Sequence, residues 1–113
     1  MDNCIFCKII RGEIPSSKVF ENDKVLGFKD INPVAPTHIL IVPKVHIDSI
    51  DSISETNCQV LSDIFLAIRT VAAEQGLTDG YRVVSNVGAA AGQTVEHLHF
   101  HILGGRTLNL AMC

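Results

Sequence analysis

The stretch His97-Leu98-His99-Phe100-His101-Ile102-Leu103 alternates a histidine with a large apolar residue three times in succession. Successive side chains of a strand point to opposite faces, so this run reads as a β-strand carrying three imidazoles on one face, roughly 6.5–7 Å apart. Leu98, Phe100 and Ile102 then point the other way, into a core. A lone strand histidine is ordinarily a satisfied structural residue. Three in register leave several ring nitrogens needing partners, and that demand points to chemistry.

The rest of the chain arranges itself around this strand, which is read as running from Val95 to Leu103. Before it comes the small-residue loop Gly88 to Thr94, GAAAGQT, and before that a strand over Tyr81 to Val87. His38 to Pro43, HILIVP, reads as another strand, and Asp30 to Thr37, with two prolines, as the loop leading to it. Lys18 to Glu21 and Val25 to Lys29 form a hairpin about Asn22-Asp23. Cys4 to Ile10 is apolar at helical spacing and stops at Arg11-Gly12. Ser52 and Glu55 stand at capping-box spacing, so a long helix is predicted from about Glu55 to Gln75, with Gly76 as its stop. Val60, Leu61, Ile64, Ile68, Val71 and Ala72 give that helix one apolar face. The pattern predicts an α+β fold: an antiparallel sheet of about five strands, one long helix and a short N-terminal helix.

A length of 113 residues at 12.3 kDa suits a single domain spanning 1–113, large enough to bury about two-thirds of its surface. A 47% hydrophobic and 19% charged composition excludes disorder and coiled coil. With net charge −3 and pI near 5.9, no broad electrostatic grip on nucleic acid is expected. A bound phosphate must be held by local geometry. No apolar run reaches the roughly 18 residues of a membrane span. Met1-Asp2-Asn3-Cys4 lacks the basic-then-apolar pattern of a secretory signal, so the expected location is the cytoplasm, with reduced cysteines. Cys4 and Cys7 form a C-x-x-C pair, while Cys58 and Cys113 stand alone; metal binding or plain thiols are the readings left open.

Three aligned imidazoles suit either a catalytic zinc or nucleophilic attack on phosphorus. The preceding loop favours the second. Gly88, Gly92, Gln93 and Thr94 offer backbone N–H groups, an amide and a hydroxyl, which suit phosphate oxygens better than a zinc hydrolase requires.

At these residues the chain resembles a known family. HLHFHIL matches the histidine-triad signature, and GQTVEHLHFHILGGR is similar to the Hint branch of the histidine-triad (HIT) family. The likeness extends to CIFCKIIRGEIP, FKDINPVAPTHILIVPKVHI and GYRVVSN, covering Cys4 to Arg106. The resemblance implies a purine nucleotide-binding hydrolase that cleaves nucleoside 5′-phosphoramidates through a covalent nucleotidyl-histidine. His99 corresponds to the nucleophile, His101 to a contact on the phosphate or leaving group, and His38 to a residue that holds and polarises the nucleophile. Asn86, Gly92, Gln93 and Thr94 match phosphate and leaving-group contacts, with Thr94 in place of the more usual serine. Asp30 matches the acid on the ribose hydroxyls. Ile31 and Phe28 match base-pocket positions, as do Phe6 and Ile9, which equally suit the core. A dinucleoside polyphosphate hydrolase and a non-catalytic nucleotide-sensing or scaffolding protein are the alternatives.

The resemblance also bears on the cysteines. Some family members hold a structural zinc, and here Cys4, Cys7, His46 and His97 would complete a Cys₂His₂ set, leaving catalysis metal-free. Tyr81 to Val87 carries one charge, Arg82, and as an edge strand is poorly protected from pairing. Relatives pair through that strand and the long helix, so a homodimer is expected. They also carry an aromatic-containing tail where this chain reads Thr107-Leu108-Asn109-Leu110-Ala111-Met112-Cys113, so weaker discrimination among amine leaving groups is expected.

Overall fold

A computed structural model describes residues 3–110 of the chain. Five strands form one antiparallel sheet in the order β1-β2-β3-β5-β4: β1 Lys18–Glu21, β2 Val25–Lys29, β3 Thr37–Pro43, β4 Arg82–Val84 and β5 Phe100–Gly104. The predicted α+β class therefore holds. Asn22 closes the first hairpin by accepting N–H bonds from Lys24 and Val25 at its side-chain oxygen, both at 2.9 Å.

The sheet separates two apolar layers. Val25, Ile39, Ile41, Phe100 and Ile102 face helix α2, Val60–Glu74, which buries Ile64, Ala67, Ile68, Val71 and Ala72 against them. Leu26, Phe28, Leu40 and Val42 face the opposite way, toward Phe6 and Ile9 of the short helix α1, Ile5–Ile10. The alternation along β2 and β3 thus places one set of side chains under each helix. Among the described residues no helix is long and apolar enough to cross a membrane.

Three boundaries differ from expectation. α2 begins at Val60 rather than near Glu55, because short polar side chains capture the intervening backbone. Asn57 accepts from the Ser54 N–H at 2.7 Å and donates to the Ser52 carbonyl at 3.1 Å, so the Ser52–Glu55 capping box gives way to turns. Its C-terminus follows the sequence: Gly76 takes φ +74°, and the Leu77 N–H reaches back to the Ala72 carbonyl at 3.0 Å. β4 is shorter than Tyr81 to Val87. Past Val84 the Ser85 hydroxyl, rather than a backbone amide, donates to the His99 carbonyl at 2.8 Å. The last strand starts at Phe100 rather than Val95, since the Leu98 N–H turns away to the Ile47 carbonyl at 2.6 Å.

Candidate active site and metal centre

Although 97–99 lie outside the ladder, their side chains keep the strand's parity. Leu98, Phe100 and Ile102 are buried in the α2 layer, and the three histidines point to the α1 side. His38 joins them from β3. The register pairs His38 with Leu103 and Leu40 with His101, so His38 and His101 are diagonal neighbours on one face. Phe6 packs edge-on against His99, with ring centres 5.0 Å apart, and touches His97 and Phe28 as well. Phe6, Ile9 and Phe28 are therefore core, and Phe6 packs against the imidazoles of His97 and His99.

Hydrogen bonds assign the proton of each ring. Nδ1 of His99 lies 2.6 Å from the His97 carbonyl oxygen, which can only accept, so His99 carries its proton on Nδ1 and a lone pair on Nε2. Burial holds its pKa below the ordinary imidazole value, against the opposing pull of that carbonyl and of Asp30, and keeps the ring neutral. Val34 N–H donates to Nδ1 of His38 at 3.1 Å, which places the His38 proton on Nε2. That N–H meets Nδ1 of His101 at 2.9 Å. His101 must then accept at Nδ1 and bear its own proton on Nε2, an atom that is buried and unpartnered among the described residues. Burial, reinforced by His99 and His38, pushes the His101 pKa down to about 4. His99, with a lone pair on Nε2, thus lies beside His101, with an unpartnered donor on Nε2, their ring centres 5.2 Å apart. The sequence expectation that His38 holds the nucleophile is corrected: His38 bonds His101, and the His97 carbonyl holds His99.

The second cluster is Cys4, Cys7, His46 and His97, whose ligand atoms lie within 4.8 Å of one another. Cys4 reaches the site by capping α1, its sulfur accepting the Cys7 N–H at 3.3 Å. Nδ1 of His97 is 3.3 Å from the Cys4 sulfur and 3.6 Å from that of Cys7, and Nδ1 of His46 is 3.3 Å from Cys7 Sγ. A tetrahedral zinc with S and N ligands spaces them by roughly 3.3–3.8 Å, so the donor set fits that ion. Both rings are preset as ligands. Nε2–H of His97 donates to the Pro43 carbonyl at 2.9 Å and that of His46 to Asp48 at 2.8 Å, leaving both Nδ1 lone pairs aimed at the thiols.

The remaining predicted residues are less closely gathered. Asp30 stands beside the His38–His101 pair, with Oδ2 3.4 Å from Nε2 of His38. Ile31 is 91% exposed on the loop above it. Gln93 turns inward: its oxygen accepts from Gly88 N–H at 2.8 Å, and its amide donates to the Asp48 and Val95 carbonyls. It braces the loop. Gly92 and Thr94 are exposed, and Thr94 lines a hollow with Cys4, His46 and Asp48; Asn86 is half-buried next to Ser85. Ser85, Val34 and Pro43 escaped the sequence reading, because two act through backbone atoms and a serine after a strand carries no signal of its partner.

The chain is similar to known proteins over most of its length. The HIT domain profile matches residues 11–108. A HIT family hydrolase from Clostridium thermocellum superposes with a TM-score of 0.97 at 48% identity, covering 100% of this chain and 99% of that one. The 14 kDa zinc-binding protein of Zea mays is 50% identical over 107 residues, 93% of this chain and 84% of its own. Purine nucleoside phosphoramidase of Escherichia coli is 44% identical over 108 residues, 95% of this chain and 91% of its own.

Proposed function

The chain belongs to the HIT domain family, and we propose that within it the protein is a purine nucleotide hydrolase that cleaves nucleoside 5′-phosphoramidates. The observation that carries this reading is the pairing of opposite ring states on one face, a lone pair on His99 Nε2 and a proton on His101 Nε2. Displacement at phosphorus needs both. The similarity to a purine nucleoside phosphoramidase supports the choice of substrate.

In this scheme His99 Nε2 forms a bond to the α-phosphorus as the P–N bond breaks, and the departing nitrogen keeps that electron pair, takes a proton from solvent water and leaves as the amine. His101 donates a hydrogen bond to the departing nitrogen while charge gathers on it. Water then attacks the nucleotidyl-histidine and restores His99. Over the cycle one water supplies the hydroxyl on phosphorus and the proton on the amine. Asp30 is assigned to the ribose hydroxyls, Ile31 to the base side, and Asn86, Gly92 and Thr94 to the phosphate side, with Gln93 bracing that loop from within. Cys4, Cys7, His46 and His97 would hold a structural zinc, tying α1 to the sheet without entering the reaction; similarity to a zinc-binding protein supports this. Such reduced thiols suit a cytoplasmic location.

A homodimer belongs to the same proposal. Val83 on edge strand β4 and Phe65 and Leu66 on α2 are 39%, 51% and 56% exposed, leaving an apolar edge beside an apolar helix face. Mass spectrometry of enzyme quenched rapidly with an adenosine phosphoramidate tests the chemistry: a nucleotidyl adduct on His99 is expected, and turnover with no adduct would overturn it.

A further inference from the structure

We infer that the backbone N–H of Val34 decides which nitrogen of His101 carries the proton, and that Gly105 and Arg106 are the positioning residues that hold it in place. For its catalytic consequence this rests on the function proposed above. Its core, a ring tautomer, is measurable without turnover.

The relay has a direction because its first member cannot reverse. An amide N–H only donates, so the 3.1 Å contact from Val34 forces a lone pair on His38 Nδ1 and a proton on Nε2. Asp30 Oδ2, 3.4 Å from the same Nε2, favours that arrangement too. The 2.9 Å contact then passes the choice to His101. Without the Val34 donor, His38 gains a second state, with its proton on Nδ1 and a lone pair toward His101. In that state His101 donates from Nδ1, and Nε2 turns a lone pair toward the reacting face. That lone pair would repel the negative charge it otherwise stabilises.

Val34 lies in a loop folded back over the His38 ring. The Asp30 N–H bonds the His38 carbonyl at 3.0 Å, and the Asn32 N–H bonds Asp30 Oδ1 at 2.8 Å. Pro33 and Pro36 stiffen the span. From the end of β5, Gly105 takes φ +91° and presses so close that a Cβ there would sit 2.9 Å from the Pro36 Cβ and 3.3 Å from the Thr37 nitrogen. Arg106 Nη2 reaches the Val34 carbonyl at 3.4 Å, steadying the residue whose N–H faces His38 from the peptide unit that follows it. The Val34 side chain is itself 60% exposed, so the backbone contact is separable from packing.

Nitrogen NMR of histidine-labelled full-length protein distinguishes protonated from lone-pair ring nitrogens. In the unaltered protein, His38 and His101 should each show the proton on Nε2. Val34→Pro deletes the donor, and Arg106→Ala loosens it; both should give mixed His38 and His101 signals, and Arg106→Lys should restore the single state. Kinetically, kcat for an alkylamine phosphoramidate should fall about tenfold in Val34→Pro, while a nitrophenyl nucleotide ester, whose leaving group needs no donor, should be cleaved at nearly the unaltered rate. Should Val34→Pro fail to fold, Arg106→Ala and Gly105→Ala carry the test. Unchanged tautomers in the folded variants, or equal losses on both substrates, would overturn the inference. A shifted tautomer in a protein that turns over neither substrate would uphold it and instead remove the proposed function.

Discussion

The carbonyl oxygen of His97 lies 2.6 Å from Nδ1 of His99, while the His97 ring, 3.3 Å from the Cys4 sulfur, belongs to the Cys4–Cys7–His46–His97 cluster. One residue thus links the two sites, by backbone on one side and side chain on the other. Its ring is fully buried and carries a pKa pulled down to about 4, first by burial, so it stays neutral.

Zinc analysis of protein purified without chelator should therefore give about one ion per chain. Because binding energy of a structural site is folding energy, stripping the metal should lower Tm by about 10 °C or more. Cys4→Ala should lose the ion and retain nucleotide binding in weakened form. Zinc retained at full stoichiometry by a Cys4→Ala, Cys7→Ala double variant would remove this centre.

His99→Ala removes the lone pair but leaves Asp30, His38 and His101 in place. Turnover should drop by at least about 10³-fold, the scale set by loss of a nucleophile acting at close range. Mononucleotide affinity, followed by calorimetry, should change less than about tenfold. His101→Ala should keep more activity than His99→Ala. Turnover surviving in His99→Ala would end the assignment.

Much of this was legible because side-chain parity is a local property. The alternation in 97–103 placed three imidazoles on one face even though ladder bonding begins only at Phe100. The Cys₂His₂ set came from resemblance and chemistry together, and the structure gathers all four residues. What stayed hidden depends on backbone atoms brought from afar. Nothing near His97 announces that its ring will donate to Pro43, fifty-four positions away. Nor does the sequence say that His38 faces His101 rather than His99, since that choice follows from the β3–β5 register. Gln93 has the right chemistry for a phosphate, but its amide is satisfied inside its own loop and against Asp48. The tail expectation lies partly outside the described residues, which end at Leu110.

The exposed edge bears on assembly. If β4 and α2 pair with a second copy, sedimentation should give about twice 12.3 kDa at micromolar concentration. Val83→Lys would place a charge on the edge strand and should shift the protein toward monomer. A mass near 12.3 kDa for the unaltered protein would rule the dimer out.

Acid should destabilise the fold through His101. Its pKa is depressed from the ordinary 6.5 to about 4, by burial first and then by His99 and His38, with Asp30 opposing. His38 is shifted the same way, also by burial first. Between those two values the unfolded chain binds a proton that the folded chain refuses, so stability falls as pH drops from about 6.5 toward 4 and is unaffected above that window. At about 1.4 kcal/mol per unit, reduced for the partial exposure of the ring, His101 should account for on the order of 2 kcal/mol of the loss. Carboxylates titrate in the lower part of the same range, so the comparison must be differential. Urea midpoints measured at intervals from pH 7.5 to 4.5 should decline less steeply in His101→Gln, which keeps a polar side chain but cannot titrate. Equal slopes in the two proteins would show that the ring is not held neutral by its burial.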